Sequence, residues 1–251
     1  MATAPRKLVA GNWKMNGLRA SIDEAVRVAD RIEGENTPDC DVLICPPATI
    51  LAQMGWRLGD SAIGLGGQDC HQDKSGAHTG DLSADMLADV GAKYVIVGHS
   101  ERRADHHEDD ATVRAKAEAA LEAGLLPIIC VGETESQRES GDAYQVVIAQ
   151  LVGSLPQEGK PETIVVAYEP VWAIGTGKTA SPTDVEQMHA VIRKVLVERY
   201  GEIGEGIRIL YGGSVKPDNA AELLAIENVD GALVGGASLN AEQFVAIIQA
   251  A

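Results

Sequence analysis

The sequence predicts a (β/α)8 barrel, eight parallel strands inside a ring of outer helices, forming a single domain over residues 1–251. Three observations carry that expectation. Short β-rich runs alternate with amphipathic stretches, and the alternation can be counted eight times. The length of 251 residues matches the roughly 250 typical of this architecture. The runs, such as Thr163-Ile164-Val165-Val166-Ala167, are almost continuously apolar, as parallel strands buried on both faces must be. A doubly wound open sheet competes, but it seldom needs eight regular units. No internal linker, charge block or low-complexity segment divides the chain.

The elements follow in order. Lys7 to Asn12 reads as the first strand, and Ser21 to Glu33 as a helix with Ile22, Ala25, Val26 and Ala29 on one face. Asp41 to Cys45 is the second strand, ended by Pro46-Pro47, with Thr49 expected to cap a short helix through Trp56. Ala62 to Gln68 is the third strand and Ala84 to Val90 its helix. Tyr94 to Val97 is the fourth, followed by an alanine-rich helix from Asp110 to Ala123 that Gly124 closes at C′. Leu126 to Val131 and Thr163 to Ala167 are the fifth and sixth strands, with a helix at Asp142 to Ser154 between them. Ser181-Pro182, an N-cap with proline at the first helical position, opens a long helix to about Tyr200. Ile207 to Tyr211 and Gly231 to Val234 complete the strands, with helices around Asn219 to Leu224 and from an Asn240 cap to the C-terminus. One connection is out of line. Asp69 to Ser83 spans 15 residues, against about 2–6 for an ordinary βα loop, and a loop that long usually meets a partner or a substrate.

Composition narrows the function. Lys and Arg number 21 and Asp and Glu 37, a net charge of −16, which argues against nucleic acid or an anionic membrane as partner. No apolar run approaches the roughly 20 residues of a membrane span, and Met1 to Lys7 lacks the apolar core of a secretion signal. A cytoplasmic location is the expectation. Cys40, Cys45, Cys70 and Cys130 form no CxxC pair, and three of them sit in or at the end of apolar runs, so buried reduced thiols are expected.

In such a barrel the chemistry sits where strands end. Reading those ends gives Asn12 and Lys14 after the first strand, His99 and Ser100 after the fourth, and Glu169 after the sixth. Gly212-Gly213-Ser214 and Gly235-Gly236 follow the last two, in the loops where barrels often hold phosphate on backbone N–H groups. A base, an imidazole, a fixed cation and an anion cradle suit proton removal beside the carbonyl of a small phosphorylated molecule. The enediolate so formed can eject phosphate, so a water-excluding lid is chemically motivated. Val171-Trp172-Ala173-Ile174, an apolar middle in a glycine-punctuated loop, fits that lid.

Five motifs resemble the triosephosphate isomerase family: Gly11-Asn12-Trp13-Lys14-Met15-Asn16, Val97 to Arg103, Ala167 to Gly177, Tyr211-Gly212-Gly213-Ser214-Val215 and Val234 to Leu239. They run from one end of the chain to the other and jointly are highly specific. The resemblance implies the TIM-barrel fold and the interconversion of dihydroxyacetone phosphate and D-glyceraldehyde 3-phosphate, without metal or organic cofactor. It implies Glu169 as the proton-shuttling base, His99 as the neutral imidazole that polarises the carbonyl, and Lys14 and Asn12 as the groups beside the substrate oxygens. Gly175, Ser214, Gly235 and Gly236 match the phosphate-binding set. It also implies a homodimer through the Asp69–Ser83 loop, although Asp69, His71 and His78 depart from the usual asparagine and aromatics there. Ser100, as cap of a helix beginning just after His99, would disfavour a charged imidazole.

Plainer readings compete. Gly175-Thr176-Gly177-Lys178-Thr179 resembles a phosphate-binding P-loop, but the first glycine of that motif would have to stand at Trp172. His106-His107 with Glu108 looks superficially like a metal site, yet neighbours on a helix diverge, so a solvated or interface role is expected. Glu101, Arg102 and Arg103 read as support for the site from behind. The rival functions are a class I aldolase-like barrel forming a Schiff base on Lys14, and a silent sugar-phosphate-binding scaffold.

Overall fold

The structure, a computed structural model, describes residues 5–34, 37–157, 163–174 and 178–251. Eight parallel strands close into one barrel in sequence order: β1 Lys7–Asn12, β2 Cys40–Cys45, β3 Ile63–Gly67, β4 Tyr94–Val97, β5 Leu126–Val131, β6 Val165–Tyr168, β7 Arg208–Tyr211 and β8 Gly231–Val234. Closure is the β1–β8 pairing, which runs from Leu8 opposite Gly231 to Gly11 opposite Val234. Gly231 permits it: φ is +142°, and a Cβ there would stand 1.9 Å from the Leu8 carbonyl oxygen.

The continuous apolar runs are explained by burial on both faces. Leu8, Ala10, Leu43, Cys45, Ile96, Ile128, Cys130, Val165, Ala167, Leu210 and Leu233 fill the barrel interior as one cluster. Alternate residues, among them Val9, Ile44, Val97, Ile129, Val166 and Ile209, face outward into a second cluster shared with the helices. All four cysteines are buried within these layers, as expected.

The outer ring comprises α1 Ile22–Ile32, α2 Ala48–Leu58, α3 Ala84–Asp89, α4 Ser100–Asp105, α5 Asp110–Glu122, α6 Glu135–Glu139, α7 Ala143–Ser154, α8 Pro182–Tyr200, α9 Pro217–Leu224 and α10 Ala241–Gln249. Ser181 caps α8 by accepting the Asp184 N–H, and Asn240 caps α10 by accepting that of Gln243, both as predicted. Three expectations need correction. Thr49 is not a cap: α2 starts at Ala48, with Pro47 at the N-cap, a position that needs no N–H of its own. The sixth strand begins at Val165 and carries Tyr168, while α9 begins at Pro217, a proline suited to a first helical turn. The short α6 was not anticipated, although Thr134 and Gln137 form the capping box that would have revealed it.

Candidate active site

The predicted residues gather at the C-terminal mouth of the barrel. Asn12, the last residue of β1, is buried, and its Oδ1 accepts the Lys14 N–H at 3.0 Å. That bond supports Lys14 in the left-handed region, φ +52°, which a lysine seldom adopts. Gln68 clamps the same turn by donating to the carbonyls of Lys14 and Cys45 at 2.8 and 2.9 Å. Lys14 Nζ then lies 2.6 Å from Glu101 Oε1.

His99 differs from expectation in one respect that matters. It is itself the N-cap of α4, its Nδ1 accepting the Glu101 N–H at 3.2 Å, and Ser100 is the first helical residue rather than the cap. Because Nδ1 is an acceptor, the neutral ring carries its proton on Nε2. That nitrogen sits 2.8 Å from Glu169 Oε1, while the Ser100 N–H donates to Glu169 Oε2 at 3.1 Å.

Glu169 is buried at the end of β6, where its own N–H donates to the Val131 carbonyl at 2.8 Å. Gly132 must be glycine there, because a Cβ would stand 1.7 Å from the Glu169 carbonyl oxygen. Burial pushes the Glu169 pKa up, but contact with His99, the Ser100 N–H and the nearby Lys14 cation outweigh it, leaving the pKa below its usual value. For His99 burial favours the neutral ring, and the touching carboxylate overrides it to raise the pKa. Withdrawing that carboxylate leaves burial, the largest influence, together with Lys14 and the α4 N-terminus favouring a neutral imidazole, against the Glu101 carboxylate 3.6 Å from Nδ1.

Across the mouth, Asn12, Lys14, Glu169, Ile174, Ser214, Gly235 and Gly236 line a cavity of about 400 Å³, together with Gly212, Gly213 and Lys216. Little else fits behind the glycines: a Cβ on Gly213 would meet the Tyr211 hydroxyl at 2.2 Å. His99 does not line this cavity directly, since Glu169 stands against its Nε2. Gly175 falls outside the described residues.

Two groups were missed from sequence. Glu133, fully buried, accepts from the Tyr168 hydroxyl at 3.1 Å and from Trp172 Nε1 at 2.8 Å, and pairs with Arg138 at 3.3 Å. It therefore anchors the short turn Val171–Ala173 that follows Glu169. As a carboxylate just beyond β5 it carried the same strand-end signal that singled out Glu169. The second group is Lys116, buried on α5, whose Nζ reaches Asp69 at 2.8 Å and Glu108 at 2.6 Å, with Arg102 closing the network on both acids. Asp69 thus belongs to the base of its long loop, and Glu108 is a buried partner rather than a solvated neighbour of His106 and His107. Arg103, as expected, braces the site from behind, donating to the Gly98 and Cys130 carbonyls and pairing with Asp110.

The triosephosphate isomerase family model matches residues 7–251. The chain belongs to the triosephosphate isomerase family. The triosephosphate isomerase of Afipia carboxidovorans is 58% identical over 245 residues, covering 98% of this chain and 97% of its own. That of Xanthobacter flavus is 54% identical over 250 residues, covering 100% and 99%. Among solved structures, triosephosphate isomerase from Bartonella henselae superposes with a TM-score of 0.92 at 48% identity, covering 98% of each chain. Membership makes the chain an isomerase enzyme on a TIM barrel, and these relatives favour neither the Schiff-base aldolase nor the silent scaffold.

Proposed function

We propose that the chain interconverts dihydroxyacetone phosphate and D-glyceraldehyde 3-phosphate, with Glu169 carrying a proton between adjacent substrate carbons. The observation that carries this assignment of roles is the convergence of Asn12, Lys14 and Glu169 on one glycine-lined cavity, with His99 directly behind the base. Glu169 leaves its bonds to His99 and Ser100, turns into the cavity and removes a proton beside the carbonyl. His99 Nε2–H, freed by that movement, and Lys14 stabilise the developing enediolate oxygen, with Asn12 beside them. Glu169 returns its proton to the neighbouring carbon, while His99 Nε2 gives its proton to the enediolate oxygen and takes one from the adjacent hydroxyl, so the carbonyl moves to the other carbon. Ser214, Gly235, Gly236 and Gly175 receive the phosphate, and the turn at Val171–Ala173 hinges a cover that excludes water.

A coupled assay with D-glyceraldehyde 3-phosphate tests the roles. The chain should turn over, and Glu169→Asp, which withdraws the carboxylate by about a methylene, should lose on the order of 100-fold. Near-normal turnover in the variant would remove Glu169 from the role.

The working form is a homodimer through the Asp69–Ser83 loop. Apolar side chains near it support this: Met15 is 97% exposed, and Leu82 and Met86 are also exposed. A cleft of about 450 Å³ beside them, lined by Met15, Gln68, Asp81 and Leu82, offers room for a partner's loop. Sedimentation equilibrium returning a single-chain mass at micromolar concentration would overturn it. The whole chain forms one domain, a reading supported by the pairing of its first and last strands. No described helix is long and apolar enough to cross a membrane, and together with the charge of −16 this supports a cytoplasmic setting.

A further inference from the structure

The Asp69–Ser83 loop carries side chains for which the isomerase chemistry has no use. His71, Asp73 and His78 each bring one ligand-type atom to within 4.8 Å of the others. Asp73 Oδ2 stands 3.1 Å from His78 Nε2 and 4.0 Å from His71 Nδ1. The two imidazoles stack at 3.9 Å between centroids, with their planes 30° apart, so one ring must swing out of the stack before both ring-plane lone pairs reach one ion. We propose that His71, Asp73 and His78 form a binding site for a zinc-class divalent transition-metal ion.

Ligand type and spacing agree. Two imidazole nitrogens and one carboxylate oxygen are zinc-class donors, and bonds near 2.0–2.1 Å in a tetrahedron place donor atoms about 3.3 Å apart. The separations of 3.1 and 4.0 Å bracket that value. His71 binds through Nδ1, which already carries no proton because it accepts the Asp73 N–H at 3.0 Å; that bond is given up when the ion enters. Its other nitrogen, Nε2, faces Asp81 Oδ2 at 4.0 Å. A carboxylate on the far side of a ligating imidazole fixes the tautomer and raises ligand basicity. Water completes the coordination.

The backbone holds these groups in place. The His71 N–H donates to the Leu82 carbonyl at 2.7 Å, and the Asp81 N–H to that of His78 at 3.0 Å. Gly76 leaves room for the His78 ring, whose Cδ2 lies 3.0 Å from where a Cβ would stand. Lys74, the only lysine or arginine between residues 69 and 83, is drawn aside to Glu122 at 3.3 Å, leaving the electrostatics of the loop tip to Asp73 and Asp81. The simpler alternative is a histidine–aspartate surface pair, which holds no ion.

Calorimetric titration of zinc into the metal-stripped full-length protein at neutral pH separates the two, with cobalt(II) absorption reporting the geometry. One ion per chain is expected, with tetrahedral cobalt bands. His78→Gln and His71→Gln should each weaken binding by more than about 10-fold, Asp81→Asn by about 10-fold, and His106→Gln not at all. The far-ultraviolet circular dichroism of each variant checks that it is folded. Absence of saturable binding, or binding that survives both His71→Gln and His78→Gln, overturns the site. Loss of binding in His106→Gln would do so as well, by moving the ligands to the other histidine pair.

Discussion

His99 Nε2 lies 2.8 Å from Glu169 Oε1, so the proposed electrophile and the proposed base hold each other before substrate arrives. That contact is the leading influence lowering the Glu169 pKa against the upward push of burial. Replacing His99 with Asn should therefore do two separate things. Turnover should fall by about 100-fold or more, the usual cost of losing a positioned proton donor. The acid limb of the kcat/KM profile should also move to higher pH, because Glu169 works only when ionised and now loses its proton less readily. An acid limb that stays where it is in the parent enzyme would show that the contact does not tune the base.

Gly212 stands directly behind Glu169. A Cβ there would approach Glu169 Cγ at 2.9 Å and the Tyr168 carbonyl oxygen at 3.1 Å. Gly212→Ala should displace the base by a fraction of an ångström while disturbing little else. Since misplacement near 1 Å can cost on the order of 100-fold, kcat is expected to fall at least about 10-fold with an unfolding free energy within about 1–2 kcal/mol of the parent. Equal kcat values in the two proteins would show that the base tolerates the added methyl group.

Glu133 collects two neutral donors and one cation in a fully buried position. Glu133→Ala leaves the Tyr168 hydroxyl, Trp172 Nε1 and Arg138 without that acceptor. Breaking a buried pair from one side costs about 3–5 kcal/mol, so urea denaturation should show a loss of that order. The same change loosens the turn after Glu169, so kcat should drop as well. A variant that keeps parental stability would mean that Arg138 and Trp172 find other acceptors.

The barrel was legible because parallel strands buried on both faces leave an unmistakable mark, continuous apolar runs such as Leu126 to Val131. The candidate site was read from it, since the rule that chemistry sits at strand ends selects Asn12, His99 and Glu169 by position. What stayed hidden depends on long-range pairing. Lys116 reads as an ordinary solvent-facing residue of an alanine-rich helix, and only the fold places it against Asp69, 47 positions away. His99 as its own helix cap was missed because imidazole is not among the usual capping side chains.

Burial of His189 gives a pH dependence whose sign can be worked out. It is fully buried on α8, its Nδ1 lies 2.8 Å from the Asn228 carbonyl, and burial lowers its pKa from 6.5 to about 4. The folded state therefore resists protonating a ring that the unfolded chain protonates freely below pH 6.5. The unfolded state binds the extra proton, so this contribution to stability is complete above pH 6.5 and is lost as pH falls towards 4. At about 1.4 kcal/mol per unit, the full loss is about 3 kcal/mol. Other groups also titrate in that window, so the useful quantity is a difference. His189→Asn keeps a donor for the Asn228 carbonyl and cannot be protonated. Its unfolding free energy, measured in urea from neutral pH down to 4, should decline less steeply than the parent's by nearly one proton. Parallel curves would place the acid sensitivity elsewhere, with Glu108 and Glu169, carboxylates whose pKa the folded state lowers, the next groups to change.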